Sequence, residues 1–314
     1  MSLIRFTIIY QEKLIAIYFF ICEKYEKDLK YHCMRFSNNA VPDFTDAEAL
    51  TIYFFSMIEE RRFRINEIHS FAMRYLGSWF PKLPSYQAFN NRINSLANAV
   101  QSLSVDLLEQ YKPLDCDMTK NLVDSFPIVT CSGKRQGKVA DEITDKGYCS
   151  TKNMYYYGLK MHVLGYNREK TIPWPESIVL TKASESDLTT FKEYWGTLLD
   201  RNFFGDKIYN NDDWFENMEE KYGSTMYTPV KAVKGESEWH KQYNKAANDL
   251  FSKAVSTIRQ PIESSFNWLI EKTDIQTANK VRSTRGLLLH VFGRIVAAFL
   301  FMAHPNIVGT KQKV

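Results

Sequence analysis

The sequence predicts an α/β protein: a mixed five-stranded sheet flanked by helices, preceded by an all-α N-terminal region. Three observations carry this. Apolar runs with strand character appear only after residue 115, and there they alternate with helical segments. Before residue 115 the apolar residues recur at helical spacing behind capping residues. Gly and Pro number only 13 and 10 among 314 residues, which disfavours a loop-rich sandwich or propeller.

The N-terminal region is taken as residues 1–115. Thr45-Asp46-Ala47-Glu48 forms a capping box, and Leu50, Tyr53, Phe54 and Met57 follow at helical spacing. Further helices fit residues 65–75 and 85–96, the second opening after Pro84 with Ser85 as a candidate N-cap. A turn containing Gly77, Pro81 and Pro84 separates them. This helix, turn and helix, with Arg92 on the second helix, fits a DNA-reading unit or simple three-helix packing.

Residues 116–275 change texture. Leu122 to Phe126 is a short apolar run holding Asp124. Residues 155–166 alternate, and 177–181 reads as another strand. Ser186 or Asp187 caps a helix reaching about residue 200. Residues 202–206 make a strand ending in Asp206, and a helix over about 212–222 and a strand near 225–230 follow. From about residue 238 the chain reads as helix. Three strands followed by helix–strand alternation is the order of the ribonuclease-H-like fold.

With 45% hydrophobic and 24% charged residues, the chain has ample material for a core and is not disordered as a whole. The apolar run 14–22 is too short to span a bilayer, and 286–303 is interrupted by His290 and Arg294, so it reads as a buried helix. Five cysteines without a C-x2-C pair point to a reducing cytoplasm rather than to disulfides or zinc. Residues 1–115 are charge-balanced and 116–230 carry net −3, whereas 231–314, with 13 basic and 6 acidic side chains, carry net +7. A basic end suits a polyanion.

Three acids stand where such a fold needs them. Asp124 has apolar neighbours, and an ionised carboxylate there calls for a partner or a metal. Asp206 ends a strand on the side where ligands gather. Glu263 lies beside the apolar stripe of Ile262, Phe266 and Leu269. Carboxylates converging on one point suit two hard divalent ions, Mg2+ or Mn2+, and phosphodiester chemistry. Pro261 removes a backbone donor if it lies inside a helix and is welcome in a first turn; if a helix starts there, Arg259 sits in the preceding loop and shares no helix face with Glu263. His162, between Met161 and Val163, reads as structural.

The chain resembles bacterial insertion-sequence transposases of the DDE type, most closely the family numbered nine-eight-two. The matching pieces are Val123-Asp124-Ser125-Phe126-Pro127, Tyr157-Gly158-Leu159-Lys160-Met161-His162, Ala183-Ser184 with Asp187, Gly205-Asp206-Lys207, and Arg259 with Ile262-Glu263 and Phe266. Val281-Arg282-Ser283, His290, Phe80 to Tyr86 and Asn91-Arg92 complete the set. The resemblance implies a transposase that binds the terminal inverted repeats of its element and catalyses metal-dependent cleavage and strand transfer into target DNA. It implies Asp124, Asp206 and Glu263 as the catalytic, metal-binding triad, and a homodimer on DNA acting in the cytoplasm at the nucleoid. Related transposases carry Y-x2-R-x3-E-x6-K; here Arg259 and Glu263 keep R-x3-E, but Ser256 and Ile270 hold the other positions, with Lys272 two residues on.

Candidate DNA contacts are Arg92, Arg259, Lys280, Arg282 and Arg285, the last three in a basic C-terminal helical segment over 276–314. The Tyr-rich residues 155–157 read as core rather than as a stacking platform. The rival readings are a DNA-binding derivative that does not cut, and a nuclease of the same fold that does not join strands.

Overall fold

The computed structural model describes residues 8–33, 42–134, 137–150, 152–231 and 237–303. Residues 304–314, the end of the basic segment, lie outside the described residues. The chain divides into two compact units, residues 1–111 with 269–314, and residues 112–268.

The first unit is helical. Helix α1 (Ile8–Lys24) passes through a π-helical turn at Tyr25–Leu29 into the short α2 (Lys30–His32). Helix α3 (Asp46–Glu60) opens with the expected capping box: the Thr45 hydroxyl accepts the Glu48 N–H at 3.2 Å, and the Glu48 carboxylate accepts the Thr45 N–H at 2.6 Å. It is buried on nearly every side, so it is the centre of this core. Helix α4 (Ile65–Phe71) runs into a second π-helical turn, Ala72–Leu76. Ser85 caps α5 (Tyr86–Ser95) by accepting the Ala88 N–H, and α6 (Ala97–Gln110) follows. The sequence reading set 276–314 apart. In the structure α10 (Thr284–Ala303) belongs to the first unit and packs on α3, α5 and α6. The reason is that its apolar residues circle the helix: Leu287, Leu289, Val291, Ile295 and Phe299 all need cover. This helix is long and apolar enough to cross a membrane, and 72% of its apolar stretch is buried inside the protein.

The second unit is built on a sheet of six strands, one more than the five expected. They are β1 (Asp117–Ser132), β2 (Asp145–Cys149), β3 (Met154–Asn167), β4 (Trp174–Lys182), β5 (Asn202–Phe204) and β6 (Thr225–Tyr227). The extra strand is β2. Its sequence, Asp-Lys-Gly-Tyr-Cys, carries no apolar alternation and becomes a strand only by pairing antiparallel with β3. Strand β4 pairs with the rest of β3, so β2 and β4 share one edge of it. On the other side of β3 come β1 antiparallel, then β5 and β6 parallel to β1. This order, with its switch from antiparallel to parallel pairing, is that of the ribonuclease-H-like fold.

Helix α7 (Asp187–Tyr194) is capped by Ser186 and ends before residue 200, and α8 (Asp212–Tyr222) ends at Gly223 with positive φ. Phe191, Trp195, Phe215 and Met218 from these segments cover Val123, Leu164 and Phe203 of the sheet. Helix α9 (Glu238–Thr273) is continuous for 36 residues with Pro261 inside it. Of the two placements open to Pro261, inside a helix or in its first turn, the structure takes the first. The proline removes one backbone donor, and packing of Val255, Ile262 and Phe266 carries the helix through.

Candidate active site

Strand β1 delivers Asp124 to the middle of the sheet. Strand β5 runs parallel beside it, with Leu122 opposite Phe204. The strand ends at Phe204, and Asp206 follows it two residues on, at the end of β5 beside β1. Gly205 makes the strand end possible, because a Cβ there would meet the Tyr209 ring at 2.7 Å. Asp206 is exposed and caps the short helical turn Lys207–Tyr209 by accepting the Lys207 N–H at 2.7 Å.

Helix α9 brings Arg259 and Glu263, which lie four residues apart on one face. Arg259 donates through Nη1 to Asp124 Oδ2 at 2.8 Å and through Nη2 to Glu263 Oε1. Because the helix does not start at Pro261, the two side chains share a face: an unbroken helix aligns residues i and i+4. Asp206 also acts on Arg259, and all three acids together hold its guanidinium above the usual arginine range. Two of the three carboxylates named from sequence, Asp124 and Glu263, thus share one arginine, and Asp206 acts on it through its charge.

The charges do not balance. Burial drives Asp124 up from 3.8 to about 7, against the opposing pull of Arg259 and the Ser125 N–H; Asp187 and Glu263 add to the rise. Sequence reasoning assigned no chemistry to Asp187, taking it as a helix cap. It is buried, accepts the Ser125 hydroxyl at 2.6 Å, and lies 3.6 Å from Lys160 Nζ and 3.3 Å from His162 Nδ1. His162 is fully buried and bonded to Thr181 Oγ1 at 2.8 Å; burial pulls it down to about 4 despite Asp187. Its burial on β3 matches its place between Met161 and Val163. Tyr209 was also missed. Burial first, then Asp187, Asp124 and Asp206, hold its phenol well above the ordinary 10, and its hydroxyl has no hydrogen-bond partner among the described residues. Asp187 stands among the matched motif residues after Ala183-Ser184, and Tyr209 lies three residues after Asp206.

The donor set fits a hard divalent cation. The candidate ligands are carboxylate oxygens, and Asp124 lacks a full counter-charge. Among the described residues no three His, Cys, Asp or Glu side chains already form a metal-binding group.

The other sequence candidates lie elsewhere. The Arg92 guanidinium grips Asp46, with Nε at 2.6 Å, and donates to the Cys33 carbonyl at 2.9 Å and Ser95 Oγ at 3.0 Å. Its fork is occupied inside the helical unit and does not present itself to a base edge. Lys280, Arg282 and Arg285 are exposed just before and in the first turn of α10, and Arg282 donates to the carbonyls of Asn279 and Val281. Lys272 lies 4.0 Å from Glu271. Of the Tyr-rich residues only Tyr156 is core; Tyr155 is exposed and packs against Tyr148 with ring centres 5.0 Å apart.

A family model described as "Transposase DDE domain" matches residues 115–300, more than half of the chain. The chain belongs to the DDE transposase family. Neither the curated proteins nor the solved structures contain a match to it. The transposase is thus a DNA-acting protein of a family that uses divalent metal ions, and its sheet is the family's ribonuclease-H-like scaffold.

Proposed function

We propose that this transposase binds the terminal inverted repeats of an insertion sequence and catalyses cleavage and strand transfer, with Asp124, Asp206 and Glu263 as the catalytic residues. Membership of the nine-eight-two family and action as a homodimer on DNA belong to the same reading. The observation that supports it is that Arg259 of α9 bridges Asp124 of β1 and Glu263, with Asp206 close enough to act on the same guanidinium. The three carboxylates would hold Mg2+ or Mn2+, two ions in this reading, which activate a water or a 3′-hydroxyl and stabilise the leaving oxygen. Asp124 gives the site its strongest demand for a cation, because burial disfavours its charge. Arg259 keeps Asp124 and Glu263 together, and its second role is to meet a backbone phosphate once DNA is present. Lys280, Arg282 and Arg285 extend the cationic surface of the helical unit for phosphates.

Replacing Asp124 by Asn keeps the volume and removes the charge. End cleavage on a labelled terminal-repeat duplex should vanish while binding of that duplex persists. Undiminished cleavage would remove Asp124 from the chemistry. Because Arg259 engages two of the three acids, binding without cutting is the second reading. A wild-type chain that shifts repeat DNA but never nicks it, with either ion, would select that reading.

A further inference from the structure

The helical unit holds a cavity of about 520 Å³ that the cleavage chemistry does not use. It lies between the start of α4, helix α5 and the segment from Asp274 into α10. Its size is that of a small-molecule site, far too narrow for a duplex. A group the size of a phosphate or a single nucleotide fits it.

The wall is cationic. Arg61, Arg64, Lys280 and Arg282 line it against two acids, Glu67 and Asp274. Arg64 is paired with Glu67 at 3.3 Å, and Arg61 donates to the Glu271 carbonyl. Lys280 makes no ion pair among the described residues, and Arg282 bonds only backbone carbonyls. Two positive charges are therefore uncompensated on one wall, and an arginine fork beside a lysine is the usual chemistry for phosphate.

Beside the charges the lining offers amides, on the exposed residues Asn66 and Asn279. Asn66 and Asn279 make no side-chain hydrogen bond among the described residues, and an amide that both donates and accepts reads the edge of a base. Tyr86, nearly half exposed, stands on the wall as a face for stacking. Arg294 also lines the cavity. Its side chain is 4% exposed, with Nη1 and Nη2 on the carbonyls of His290 and Phe63 and with Nε unpartnered among the described residues. A buried cation with an idle donor favours an anionic or acceptor-rich guest. Gly286 keeps the space open, since a Cβ there would meet Asn94 Oδ1 at 3.0 Å.

We infer that this cavity binds one nucleotide, phosphate on Lys280 and Arg282 and base on Asn66, Asn279 and Tyr86. Two sources share that chemistry: an unpaired deoxynucleotide extruded from bound DNA, or a free mononucleotide. The DNA source rests on the DNA-acting reading proposed above; the free source does not.

The test uses the full-length chain and three probes: a fully paired duplex, the same duplex with one extrahelical deoxynucleotide, and free deoxynucleoside 5′-monophosphates. With DNA as the source, the extrahelical duplex binds about tenfold tighter than the paired one, the range a single stacked base supplies. Asn66→Leu, at an exposed position, should abolish that preference while leaving affinity for paired duplex unchanged. Lys280→Glu should abolish it too and weaken both duplexes. With the free nucleotide as the source, monophosphates titrate the chain, Asn66→Leu and Lys280→Glu lose that binding, and the duplexes show no preference. Equal affinity for both duplexes together with no monophosphate binding overturns the inference, as does a preference that survives both substitutions. Failure of Asp124→Asn to impair cleavage would sink the catalytic reading alone, since none of these binding measurements requires cutting.

Discussion

Arg92 in the helical unit and Arg259 in the sheet unit each grip an aspartate, yet the two pairs end in different electrostatic states. Arg92 meets Asp46 through two nitrogens and sends its remaining donors to Cys33 and Ser95. One arginine faces one carboxylate, and the account closes. Arg259 is shared between Asp124 and Glu263, with Asp206 and Asp187 close enough to shift the same groups. One cation serves too many acids, and Asp124 keeps an affinity for a proton. A balanced pair stabilises a fold; an unbalanced cluster is poised to take a cation or a substrate.

The largest effect should come from breaking the unbalanced side. Asp124→Asn should lower cleavage of repeat ends by at least about a thousandfold, some 4 kcal/mol in the barrier. A gel assay with labelled ends reads this directly.

Next come opposed pH slopes of stability, readable by denaturant titration in chelator. Asp124 titrates at about 7 in the folded chain and at 3.8 unfolded, so the folded state binds an extra proton and its contribution to stability falls as pH rises from about 4 to about 7. His162 titrates at about 4 folded and 6.5 unfolded, so its contribution falls as pH drops from 6.5 to about 4. At about 1.4 kcal/mol per unit these spans correspond to about 4 and 3 kcal/mol, and in the wild type they oppose one another. Asp124→Asn should expose a stability that rises with pH between 4 and 6.5, and His162→Gln one that falls. Identical slopes in both variants would show that these two groups do not set the profile.

On the balanced side, Arg92→Ala leaves Asp46 buried without its cation and should cost about 3 kcal/mol of stability. Its loss of DNA binding should be the same on repeat and random duplexes. A loss confined to the repeat would restore Arg92 as a base reader and dissolve the contrast. The smallest effect concerns Arg282. If it neutralises one phosphate, Arg282→Ala should reduce the slope of log affinity against log salt by about 0.9 and weaken all sequences alike.

Local chemistry was readable from the sequence. Capping at Thr45, Ser85 and Ser186 depends on residues three apart, and each cap forms as read. The strand–helix alternation came from periodicity, whereas the three acids came as a set from the order of the elements and the resemblance to DDE transposases. Strand β2 was not readable, because a polar five-residue segment becomes a strand only through the ladder β3 offers it. Neither was the continuity of α9, since a proline's local penalty was set against burial of Ile262 and Phe266 that only the fold supplies.

The sequence by itself determined which residues carry charge, which segments cap and alternate, and that three carboxylates sit at strand and helix positions suited to metal chemistry. Tertiary structure decided their pairing. Parallel pairing set β5, and Asp206 just beyond its end, beside β1, and the unbroken α9 placed Arg259 and Glu263 on one face, with Arg259 on Asp124. It also put Arg92 against Asp46 and buried Asp187, His162 and Tyr209 around Asp124. The physical reason is range. Caps and periodicity act over a few residues of chain, whereas the proton affinity of a carboxylate depends on burial and on charges brought close from 60 to 140 residues away, which no local pattern encodes.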